Sequence, residues 1–75
     1  MDKEEKLQLA KEILKSENIK TVHLEELDAD KFYVSTRGGG SLIIANDGTY
    51  LFAASGISPQ QHIEEFEKGL RSNKS

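Results

Sequence analysis

Near the start of the chain, apolar residues return every three or four positions, at Leu7, Ala10 and Leu14 with Ile13 beside them. That period predicts an amphipathic helix over residues 3–17. Asp2, Glu4 and Glu5 sit at its positive end, where carboxylates are favoured. Lys6, Lys11, Glu12 and Lys15 fall on its wet face, and Asn18 is the predicted stop.

The period then changes from helical to twofold. Residues 20–25 alternate, with Val22 and Leu24 on one face and Thr21 and His23 on the other. Residues 31–37 are rich in β-formers, Phe32 and Val34 facing one way and Tyr33 and Ser35 the other. Between them, Glu26 to Asp30 reads as an acidic turn. Gly38, Gly39 and Gly40 interrupt the pattern before a third strand over 41–45. Asn46-Asp47-Gly48 is a hairpin signal between that strand and a fourth over 49–54.

Ser58 follows as an N-cap, with Pro59 at the first helical position and Gln61 completing a capping box. Ile63, Phe66 and Leu70 form one stripe of a second helix, about 59–71. Gly69 is expected to weaken its end, and residues 72–75 read as a frayed tail. The fold class is therefore α+β: an N-terminal helix, a three- to four-stranded antiparallel β-meander and a C-terminal helix, in the order α-β-β-β-β-α over a single domain of residues 1–75.

The central strands, Leu42-Ile43-Ile44-Ala45 and Tyr50-Leu51-Phe52-Ala53-Ala54, carry apolar residues without a break. A sheet with one wet face would alternate. Either the helices pack on opposite faces, or a second copy of the chain covers one of them. The second alternative makes Ile43, Leu51, Tyr33 and Tyr50 candidate interface residues and a homodimer, or another protein, the expected partner.

The chain has 75 residues, no cysteine and a formal net charge of −3. A core this small hides only about 60% of the surface the unfolded chain exposes, so a partner is a plausible extra source of buried area. Lack of cysteine excludes disulfides and thiolate metal sites and suits a reducing compartment. No stretch reaches the ~18 apolar residues of a membrane span, and MDKEEK is not a signal sequence. The expectation is a complete cytoplasmic protein that carries no targeting segment and stays off membranes. Excess acid argues against a nucleic-acid partner.

Four sets of residues could carry chemistry. Consecutive glycines can form an anion nest, so Arg37, Gly38, Gly39, Gly40 and Ser41, with Thr36, form a candidate anion or nucleotide site, although the P-loop order is absent. His23 and His62 stand apart, without the ligand spacing of a zinc site. Glu25, Glu26, Asp28 and Asp30 lack the order of a calcium loop and suit a basic protein partner better. Ser55-Gly56 and Ser58 lie between strand and helix, but without the nucleophile-elbow frame. No metal or cofactor is implied. The first expectation is a non-enzymatic protein-interaction or self-associating module. An anion- or nucleotide-sensing domain is the alternative, and an acidic neutraliser of a basic partner, of the immunity-protein kind, is the third.

Overall fold

The computed structural model describes residues 2–35, 39–54 and 56–73. Its elements are helix α1 (Lys3–Leu14), strand β1 (Ile19–Leu24), a 3₁₀ turn (Glu25–Leu27), β2 (Ala29–Val34), β3 (Ser41–Ala45), β4 (Thr49–Ala53), helix α2 (Pro59–Glu67) and β5 (Ser72–Asn73). The expected helix–meander–helix order is present, and the strands form one antiparallel sheet in the order β1-β2-β3-β4-β5.

Asp2 caps α1 by accepting the Glu5 backbone N–H at 2.8 Å. The helix ends three residues earlier than its period suggests, because Lys15 turns left-handed (φ 53°) and donates its N–H to Lys11. At the other end of the chain, Ser58 caps α2 through the Gln61 N–H. There the sequence reading of Gly69 is reversed. Gly69 adopts φ 89°, the Gly69 N–H reaches Phe66 and the Leu70 N–H reaches Glu65. This is a Schellman stop, in which glycine is the favoured residue. α2 therefore closes at Glu67, and Ser72–Asn73, expected to fray, pairs with Thr49 and Tyr50.

Strand boundaries shift for a similar reason. His23 and Leu24 pair with Asp30 and Ala29, so β2 begins two residues before the β-rich run. The β3–β4 hairpin turns through Asn46 and Asp47, with Gly48 at φ 91° and its N–H on the Ala45 carbonyl. This is a three-residue loop with a left-handed glycine.

Register assigns every strand residue to a face. Phe32, Leu42 and Ile44 meet Leu9 and Ala10 of α1, with Leu7, Ile13, Leu14, Ile19 and Tyr50 around them. Ala29, Ile43 and Ala45 meet Phe66 of α2, flanked by Leu24, Leu27, Leu51 and Ile63. The helices thus cover opposite faces, which accounts for the unbroken apolar strands. Each fully buried Leu, Ile or Phe contributes roughly 1.5–3 kcal/mol, and Phe32, Phe66, Leu42, Ile43 and Ile44 all qualify.

Candidate functional site

The residues singled out as an interface do not form one patch. Ile43 is fully buried beneath α2 and Leu51 is half-buried in the same cluster. Tyr33 pairs with Ser41 and shares the α2 face, whereas Tyr50 pairs with Ile44 and packs in the α1 cluster. The two tyrosines therefore stand on opposite faces. Phe52, within the unbroken apolar run of the fourth strand, is 48% exposed on the α1 face.

Of the candidate anion loop, Thr36, Arg37 and Gly38 lie outside the described residues, as does Ser55. Ser41 is an ordinary member of β3, paired with Tyr33 and Ala53. Packing requires the other two glycines. A Cβ on Gly39 would collide with the Val34 side chain, and one on Gly40 would come within 2.7 Å of the Phe52 ring. The Gly40 carbonyl also accepts the Val34 N–H. An aromatic ring laid on a cross-strand glycine restores the packing that residue lacks.

The acidic set divides. Glu25 and Glu26 are exposed. Asp30 is only 5% exposed and belongs to a polar network joining α1, β1, β2 and the hairpin turn. Lys6, assigned by its helical period to the wet face, is in fact 3% exposed. Its Nζ lies 3.0 Å from Asp30 Oδ2 and donates to Asn46 Oδ1 at 2.6 Å. His23 Nδ1 lies 2.8 Å from the other oxygen, Oδ1 of Asp30. Asn46 donates onward to Asp28 at 2.8 Å. Burial alone would raise the Asp30 pKa. The hydrogen bonds from His23 and Lys6 and the lysine charge outweigh it, and the carboxyl is held below its ordinary range.

A carboxylate oxygen can only accept, so Nδ1 of His23 carries hydrogen and the ring is oriented by Asp30. The imidazole side chain is 52% exposed. It borders a groove of about 400 Å³ lined by His23, Leu24, Glu25, Glu26, Leu27 and Ile63. The network therefore fixes the end of β1 that faces solvent. Sequence reasoning treated His23, Asp30 and Lys6 separately. The signal it missed was that pairing His23 with Asp30 across a tight turn sets both on the face α1 covers.

His62 sits on α2 at 1% exposure. Its Nε2 donates to the Leu51 carbonyl at 2.8 Å. Nδ1 is then the acceptor of a neutral ring, buried with no hydrogen-bond partner among the described residues. Burial pushes the His62 pKa down, aided by Lys31 and opposed by the Leu51 hydrogen bond and Glu65. Among the described residues no His, Cys, Asp or Glu cluster could hold a metal ion, and no helix is long and apolar enough to cross a membrane.

The sheet has two unequal edges. β5 pairs with β4 only at Thr49 and Tyr50. Beside it, Arg71 stacks 4.0 Å over the Phe66 ring and donates to the Phe66 carbonyl. β1 runs for six residues, and among the described residues β2 is its one neighbour in the sheet. Lys20, Thr21, Val22 and His23 are all exposed, Val22 at 45%. No protein-family model, curated protein or solved structure matches this chain.

Proposed function

We propose that the chain is a non-catalytic protein-interaction module that takes an extended strand of a partner onto β1. The observation that carries this reading is the edge itself: six residues of strand with one sheet neighbour among the described residues and an exposed valine near the middle. A strand edge presents a row of backbone donors and acceptors, and proteins usually blunt it with a bulge, proline, lysine, cover or short length; β1 carries one lysine, Lys20, near its start. β5 is short; β1 has no proline, and its regular register with β2 contains no bulge. Strand addition draws its affinity from such backbone groups and its selectivity from alternate side chains.

The polar network supports the reading by holding the edge in shape. His23 belongs to β1, and its tie through Asp30 to Lys6 anchors the exposed strand to the helix behind it. A preformed edge loses less entropy on docking than one ordered by its partner.

The test is selection of extended peptides from a display library against the folded chain, followed by amide-shift mapping of the ligands found. The expected result is contiguous shifts over residues 19–24 and loss of binding in Val22→Lys. Ligands that map elsewhere, or a selection that returns none, would remove the reading.

A further inference from the structure

We infer that the strand docking on β1 is β1 of a second copy, antiparallel, with Val22 facing Val22 across a two-fold axis. This rests on the strand-addition reading above and names its occupant.

Parity restricts the register. In a continuous antiparallel sheet, residues opposite each other share a face. Thr21 and His23 share the α1 face of β1, and Lys20, Val22 and Leu24 share the α2 face. A two-fold axis between identical strands must therefore pass through a residue, because an axis between residues would mix the faces. Centring on His23 leaves only Val22 to Leu24 paired within the strand. Centring on Thr21 sets Val22 against Lys20 and Leu24 against Asn18, which precedes the strand. Centring on Val22 pairs the whole run from Lys20 to Leu24 and stacks the two exposed valines.

The side chains complement each other in that register. Lys20 of each copy lies across Leu24 of the other, so the lysine stem covers a half-buried leucine while its charge stays in water. Just beyond Leu24 come Glu25 and Glu26, both exposed. The strand thus begins with a cation and ends with two anions, and antiparallel self-pairing brings each lysine to the partner's acidic end. The two-fold axis provides this contact twice. On the α1 face Thr21 lies opposite His23, a polar pair beside the Asp30 network. The helices meet β1 at Ile19, in the α1 cluster, and at Leu24, in the α2 cluster, and Lys20, Thr21, Val22 and His23 between them are exposed.

An interface confined to one strand pair is at the small end of the specific range. Dissociation is therefore expected between the micromolar and millimolar range. Sedimentation velocity over a dilution series spanning that range is the test. Wild type is expected to pass from dimer to monomer on dilution, and Val22→Lys to stay monomeric. Lys20→Glu and Glu26→Lys should each weaken association about tenfold, since two attractions become repulsions. Mixing those two variants should restore it, because every Lys20–Glu26 contact then pairs opposite charges again.

A wild type that stays monomeric throughout would overturn the self-pairing. So would a dimer that Val22→Lys leaves intact, or single-charge variants whose mixture is no tighter than either alone. Library peptides mapping to residues 19–24 on a monomeric chain would retain strand addition while refuting the second copy as occupant.

Discussion

Each face of the sheet buries a polar side chain, and the two faces treat it differently. Under α1, Lys6 and Asp30 are both charged, and each oxygen of Asp30 has a donor, Lys6 on one and His23 on the other. Under α2, His62 is neutral and only half satisfied among the described residues, with Nε2 bonded and Nδ1 without a partner there. A matched buried pair is costly to break at one end, whereas an unmatched neutral ring is costly mainly to protonate. The α1 face should therefore be sensitive to mutation and the α2 face to mild acid.

Removing one charge is the strongest way to probe the difference. Lys6→Met leaves Asp30 buried with His23 alone and should cost about 3–5 kcal/mol in urea unfolding. For a domain with total stability of roughly 5–15 kcal/mol, that is a large share. The double variant Lys6→Met with Asp30→Leu should recover most of the loss, because no buried charge then lacks its partner. A Lys6→Met loss below about 1 kcal/mol would mean that the pair is solvated like a surface contact.

Acid sharpens the comparison at the next level. The folded pKa of His62 lies below its unfolded value of about 6.5. The unfolded chain therefore takes up the proton first. Stability is complete above pH 6.5 and falls below it, by up to about 1.4 kcal/mol per unit, until the folded pKa is reached. Asp30 is also depressed in the fold, but from about 3.9. Its contribution persists above that pH and is lost as pH falls through the folded value. Urea midpoints should thus decline in two windows. His62→Gln should flatten the first relative to wild type and leave the second in place. An unchanged slope between pH 6.5 and 5 would show that His62 is not the group responsible.

The smallest effects distinguish the helices at their ends. α1 stops on a left-handed lysine and α2 on a left-handed glycine. Lys15→Gly should raise stability by up to about 1 kcal/mol, because it removes the Cβ penalty at positive φ. Gly69→Ala should lower it by about 1 kcal/mol or more for the opposite reason. Thermal midpoints would register both changes, with opposite signs.

Much of the fold was legible in the chain because local signals agreed with one another. Ser58-Pro59 and the Ile63–Phe66 spacing announced α2, and Asn46-Asp47-Gly48 announced the hairpin. The unbroken apolar strands correctly implied two covered faces, and the second helix provides the second cover within one chain. Other features depended on tertiary pairing. Lys6 appeared to be a surface lysine because helical period does not reveal that Asp30 waits opposite it. Asp30 belonged to an acidic run until β-register turned it inward and left Glu25 and Glu26 outside. Gly69 looked like a weak spot because propensity describes helix interiors, whereas this glycine stands just past the end. The open edge of β1 could not be read at all, since an edge is defined by strand order and not by any residue within it.

Strand order also bears on how the molecule assembles. From β1 to β4 each strand pairs with the next one in the chain, and only the short β5 returns to the sheet across α2. Local pairing of this kind lowers the loop-closure cost of assembling those four strands. Strands that find their partners in the adjacent segment are less exposed while the chain folds, which limits accidental pairing between molecules before the native edge exists.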